Sequence, residues 1–148
     1  MQKKSSDLDV ARQFVDRINS HDTNGLAALM TDDHVFIDSL GEKVSRPTIE
    51  EGWRKYFAMV PDYWIRVDRT AGMEDGIILI GAAGGTFVSS NGALSEENAW
   101  ETPAVWVATI SKERISSWRI YADNEPIRSK MRKSYKIGEE GELLDAQR

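Results

Sequence analysis

From Tyr63 to Asp123 the chain is almost entirely written in strand pattern, and this run decides what it can fold into. Tyr63, Ile65 and Val67 alternate with Trp64, Arg66 and Asp68. Ile77–Val88 is a long apolar strand interrupted by Gly81, Gly84 and Gly85, which predicts a bend or bulge. After a polar loop, Ser89–Asn98, strands are expected from Trp100 to Ile110 and from Ile115 to Asp123. Pro126, which has no amide to donate to a ladder, closes the last one.

Helical spacing is confined to the part before this run. Ser6 and Asp9 form a capping-box signature ahead of Leu8, Ala11, Phe14, Val15 and Ile18, predicting a helix to about Asn19. Asp22 or Thr23 can cap a short second helix carrying Leu26, Leu29 and Met30. His34–Asp38 reads as a short strand with His34, Phe36 and Asp38 on one face. Pro47 opens a third helix striped by Ile49, Trp53, Tyr56, Phe57 and Val60. Another helical turn is expected within Ser129–Tyr135.

Helices first and strands afterwards mean α+β. The expected architecture is a cone-shaped barrel, a curved antiparallel sheet wrapped over three N-terminal helices. The space inside the cone is a natural ligand pocket. The 148 residues suit one domain over 7–135, with a loose segment 1–6 and a flexible tail 136–148. A formal charge of −5 argues against a nucleic-acid partner. No run approaches the roughly 18 apolar residues of a membrane span. Without cysteine there are no disulfides or thiolate nucleophiles, and the polar Met1–Ser6 is no signal peptide, so a cytoplasmic protein is expected. Two histidines and scattered acids give no metal-ligand spacing, and no cofactor motif is present.

Three stretches carry a resemblance. Asp32–Gly41, Gly52–Phe57 and Trp118–Asp123 resemble the nuclear transport factor 2-like superfamily, with its SnoaL-like cyclases, ketosteroid isomerases and limonene-epoxide hydrolases. The resemblance spans about Leu8 to Met131 and implies a deep apolar pocket and a homodimer packed through the outer sheet face. Asp38 falls where the isomerases place a proton-shuttling aspartate. Asp123 falls where the epoxide hydrolases place a water-activating one. Phe14 stands where the isomerases have an oxyanion tyrosine, and Trp106 near their second oxyanion acid. The hydrolases' Arg-x-Asp pair has no counterpart near Gly84-Gly85-Thr86. Neither named reaction carries over whole.

On that basis Asp38 and Asp123 are the candidate catalytic pair. Two carboxylates facing one apolar pocket would be pushed apart in pKa, giving an acid and a base. The plainer reading makes each a turn cap or a solvated strand end. Period two puts Arg119 and Tyr121 on the Asp123 face, where Arg119 pairs with an acid or sits solvated at the mouth. Trp100 and Trp106 share a face with Thr102, Ala104 and Ala108, which suits a pocket wall or plain core. Phe14, Phe36, Trp53 and Phe57 are candidates for shape and stacking against a substrate. His34 is read as a general base near neutral pH or, more simply, an exposed strand-start residue. The expected activity is general acid–base chemistry on a small, mostly apolar ligand, as isomerase, cyclase or hydrolase. A non-catalytic ligand-binding or dimerisation module is the alternative.

Overall fold

The computed structural model describes residues 6–88, 92 and 94–134. The expectations for the loose N-terminus before Ser6, for part of the 89–98 loop and for the tail beyond 134 therefore lie outside the described residues. Helix α1 spans Asp7–Asn19 and opens with the full capping box, Ser6 Oγ accepting from the Asp9 amide and Asp9 reaching back to the Ser6 amide. Its apolar stripe is buried, with Phe14 fully inaccessible. Helix α2 is short, Thr23–Ala28, and Asp22 caps it through the Gly25 amide at 2.8 Å. Helix α3 runs over Thr48–Met59 behind Pro47, burying Ile49, Trp53 and Phe57.

The strands are β1 (Met30–Ile37), β2 (Lys43–Ser45), β3 (Trp64–Met73), β4 (Gly76–Thr86), β5 (Ala99–Ser111) and β6 (Arg114–Ala122). They form one six-stranded, curved and unclosed sheet in the order β2-β1-β6-β5-β4-β3. The cone is thus open along the β2 and β3 edges rather than closed into a barrel. All pairs are antiparallel except β1 with β6, which run parallel. That parallel pair follows from connectivity: α3 and four strands separate β1 from β6, so no hairpin constrains their direction.

Glycines and bulges bend the sheet. A side chain at Gly81 would collide with the Arg66 carbonyl of β3, and beside it β3 shifts register between Val67 and Arg69. Helix α1 is pinned to the β3 edge by its C-terminal residues. Asn19 donates from Nδ2 to the Ile65 carbonyl at 3.0 Å and accepts the Ile65 amide at 2.8 Å. His21 Nε2 lies 2.7 Å from the Tyr63 carbonyl while its ring stacks on Phe57 at 4.3 Å.

Three local expectations need correction. The sequence reads Ser39–Lys43 as a loop, but Lys43 already opens the short strand β2. The sequence reads Ala71–Gly76 as a turn, but β3 continues through Ala71 to Met73, leaving only Glu74-Asp75 as the turn. Pro126 does not merely end a strand: it sits in the first turn of a fourth helix, α4, Glu125–Ser134, where a missing amide costs nothing.

Candidate functional site

The inner rows of the sheet can be read from burial. On β5, Thr102, Ala104, Trp106 and Ala108 all face inward, as the alternation predicts. On β6 the expected alternation breaks. Ile110 pairs with Ile115 but Thr109 pairs with Ser117, so Ser116 is an extra residue in the strand. Beyond this bulge Trp118 and Ile120 take the inner face, and Arg119 and Tyr121 are turned outward. Arg119 lies over the Tyr121 ring at 4.8 Å, and Tyr121 is 48% exposed. The two residues assigned to the pocket by strict period two are therefore on the opposite face.

Inside, a cavity of about 310 Å³ lies under α3 and α4. Small-molecule sites run from about 300 to 1,000 Å³, so it suits a compact ligand. Its walls are largely apolar and aromatic: Phe36, Trp53, Tyr56, Tyr63, Trp106 and Trp118, with Ile18, Ile49, Ile120 and Ile127. Asp38, Ser39, Asn124 and Arg128 are the polar lining at one end, and Asp38 is the only carboxylate among the lining residues. A second, smaller cavity of about 150 Å³ shares Ser39, Asn124 and Arg128 with the first and adds Asp123 and Glu125.

Each predicted residue now has a place. Asp38 stands just past β1, with Phe36 on the same inward row. Its Oδ1 accepts the Leu40 and Glu42 amides, both at 2.9 Å, holding the β1–β2 turn. The carboxylate therefore belongs to both the turn and the cavity. Asp123 follows β6, outside the large cavity; its Oδ1 accepts the Glu125 amide at 2.9 Å and starts α4. The two acids occupy adjoining cavities with three lining residues in common. Phe14 is not on the cavity wall; it sits in the core against Trp118 at 4.7 Å. Phe57 likewise packs on His21, and Trp100 lies beside Tyr63 at 6.2 Å, beyond the cavity.

His34 is the largest departure. It is fully buried, not exposed, and Nδ1 lies 2.7 Å from the Ile115 carbonyl while Nε2 has no partner. Burial pushes its pKa below the usual histidine range. The Ile115 hydrogen bond opposes this, Arg46 adds to it and Asp33 opposes it. The neutral ring with Nδ1 protonated donates to Ile115. It lies outside the cavity lining, so it is a structural histidine.

The residues that sequence reasoning missed are those of α4 and the buried phenols. Asn124 donates from Nδ2 to Ser39 Oγ at 2.8 Å, tying the start of α4 to the turn after β1. Burial raises the pKa of both Tyr56 and Tyr63, Tyr56 with a further push from Tyr63, so both remain neutral hydroxyl donors at physiological pH. The signal for α4 was present: Asn124 followed by Glu125-Pro126 is a capping residue before a first-turn proline. Among the described residues no cluster of His, Asp or Glu could hold a metal ion, and no helix is long and apolar enough to cross a membrane.

A profile of the SnoaL-like domain family matches residues 11–118. No curated protein matches the sequence. Among solved structures, a candidate SnoaL-like polyketide cyclase from Shewanella putrefaciens aligns with a TM-score of 0.72 at 14% identity, over 87% of each chain. IdmH of Streptomyces antibioticus, a candidate polyketide cyclase, gives a TM-score of 0.72 at 18% identity, over 86% of this chain and 99% of that one. A protein of ketosteroid isomerase-like fold from Catenulispora acidiphila, solved in complex with trimethylamine, gives 0.70 at 14% identity, covering 82% and 91%. At such identities the likeness is one of fold.

Proposed function

The chain belongs to the SnoaL-like domain family, and from that premise we propose that its main cavity is a small-molecule site for general acid–base chemistry. Asp38 is the base or proton shuttle, and the substrate is small and mostly apolar. One observation carries this reading: Asp38 is the single carboxylate among the residues lining an otherwise apolar and aromatic cavity. Its Oδ1 is fixed by two amides. That orients the group and leaves Oδ2 to meet a substrate proton, the geometry proton transfer requires. Asp123, in the adjoining cavity, is the partner acid or water activator. Of the reaction classes open to such a site, cyclisation or isomerisation through an enolate fits best, since both begin with proton removal at carbon. In an isomerisation the proton returns to carbon; in a cyclisation the enolate carbon bonds to a carbonyl carbon, its C=O π bond opens, and the proton goes to the resulting alkoxide oxygen. The candidate polyketide cyclases of the same fold support that order of preference.

The reading is tested by turnover on enolisable ketosteroids, polyketide-like diketones and terpenoid epoxides. Asp38→Asn is expected to lower kcat at least about a hundredfold, the lower range for a general base. Full activity in Asp38→Asn would refute the assignment.

A second reading, a binder without catalysis, has its own support. Asp38 already serves as a turn cap, and Phe14 offers no donor at the helix-one position. Stabilisation by a ligand, with no turnover of any substrate, is its expected signature. The same proposal includes a homodimer formed through the outer sheet face.

A further inference from the structure

Helix α3 carries a glycine that neither its backbone nor its packing explains. Gly52 lies inside the helix, well clear of both ends, where glycine is the least favourable residue after proline. The described glycines with positive φ are Gly41, Gly85 and Gly92, so no left-handed turn requires one here. No tight contact requires it either. A methyl group at this position would have Ile49 Cδ1 as its nearest neighbour, at 3.7 Å, an ordinary van der Waals distance. Alanine would fit.

The place of Gly52 supplies the reason. Thr48, Gly52 and Tyr56, spaced four apart, run along one side of α3, and all three line the main cavity. Asn124, at the head of α4, and Ile127 and Arg128 within it line the same cavity from the other helix. Among the described lining residues Thr48 and Gly52 alone are exposed; the others are buried or half-buried. Residues that both line a cavity and meet solvent mark its mouth. The missing side chain at Gly52 leaves a notch in the α3 stripe, about one helical turn from Thr48 and one from Tyr56.

We propose that Gly52 is the entry port of the main cavity. Ligands pass over its bare backbone between α3 and α4, and the notch limits the cross-section of what is admitted. Gly52 is thus a specificity-determining residue that acts on access and not on affinity once the ligand is inside. The inference rests on the cavity being a ligand site, as in the proposed function. It does not need Asp38 to be catalytic.

The chain has no cysteine, so one introduced thiol can narrow the port after the protein has folded. In Gly52→Cys the thiol is capped with methyl or benzyl methanethiosulfonate. Entry of the apolar probe N-phenyl-1-naphthylamine is followed by stopped-flow fluorescence, and its release by a chase with excess naphthalene. The methyl cap is expected to leave association and dissociation rates within about threefold of wild type. The benzyl cap is expected to slow both at least about tenfold, an added barrier of about 1.4 kcal/mol, while Kd stays within about threefold. Reductant, which removes the cap, restores both rates. The same benzyl cap on Lys55→Cys, an exposed position of α3 that does not line the cavity, leaves them unchanged. Gly52→Ala is expected to raise the melting temperature by a few degrees, as replacement of an unneeded helix glycine does. The proposal is overturned if the benzyl cap leaves the rates unchanged, if it weakens binding through dissociation alone, or if the Lys55 control slows as much. It is equally overturned if Gly52→Ala lowers the melting temperature, if Gly52→Cys fails to fold, or if the probe does not bind the wild-type chain. Failure of the catalytic reading shows separately, as absent turnover with the port kinetics intact.

Discussion

His34 illustrates how one side chain can be fixed by what surrounds it. Its ring fills the place where β1 and β6 lose register between Met30 and Val35, and Nδ1–H satisfies the Ile115 carbonyl that the irregular ladder leaves over. The neutral form is the one the fold accepts, because burial lowers the pKa. The sign follows from linkage: the unfolded chain binds the proton first, so stability is full above the ordinary histidine value, about 6.5, and falls as pH drops toward the lower folded value. Urea unfolding at pH 7.5 and 5.5 should show this loss, with a slope of up to ~1.4 kcal/mol per pH unit. His34→Gln, which retains a donor but cannot titrate, should lose that part of the slope. An unchanged slope in the variant would assign the pH response to another group. Sequence alone gave two roles for His34, base or surface residue, and neither holds. Its period-two position was legible, but the burial of its row depends on α1 and Phe14 closing over it, which no local pattern encodes.

At the scale of elements, what was legible and what was not divide along a physical line. Caps and amphipathic stripes are local, so α1 and α3 could be placed from Ser6 and Pro47 with the right buried faces, whereas α2, capped by Asp22, ends at Ala28, short of the Leu29 and Met30 expected on it, and Met30 opens β1. The inner face of β5 was likewise legible from Trp106 flanked by alanines. The face of β6 was not, because the Ser116 bulge inverts the alternation halfway along the strand. The apolar spacing Ile115, Trp118, Ile120 carries the trace of it, three residues and then two. That single bulge decides which side chains face the cavity, placing Trp118 and Ile120 inside and Arg119 and Tyr121 outside. The α1–β3 junction is equally non-local: Asn19 mimics a strand partner for Ile65, which lies 46 residues away. Asn19→Leu should destabilise the chain by about 1–3 kcal/mol, since it leaves a part-buried amide and carbonyl unmatched. Chemical denaturation measures this directly. Hydrogen exchange at the Ile65 amide should accelerate in step, and a protected Ile65 amide in the variant would show that the junction holds without Asn19.

Among the described residues, no helix covers the outer face of the sheet. Ile78 opposes Val107 and Ile80 opposes Val105, while Val105 also opposes Tyr121, so these residues form a continuous apolar patch across β4, β5 and β6. Ile80 remains 38% exposed and Tyr121 48%. Isolated exposed apolar residues need no explanation, but neighbours in register across three strands make a surface that water solvates poorly. A second copy covering it by a two-fold axis would meet the same patch on itself. The opposite face carries the cavity, so association through this patch and binding in the cavity would occupy different sides of one sheet and would be separable by mutation. Ile80→Lys with Val105→Glu would place charges at the centre of the patch, where burying them in the proposed dimer would be costly. Size-exclusion chromatography with light scattering should then show a monomer where the wild-type chain gives a dimer. Ligand-induced stabilisation through the cavity should be unchanged, because no residue of the patch lines the cavity. A wild-type chain that is monomeric at all concentrations would exclude this interface. A double variant that stays dimeric would move it elsewhere on the surface.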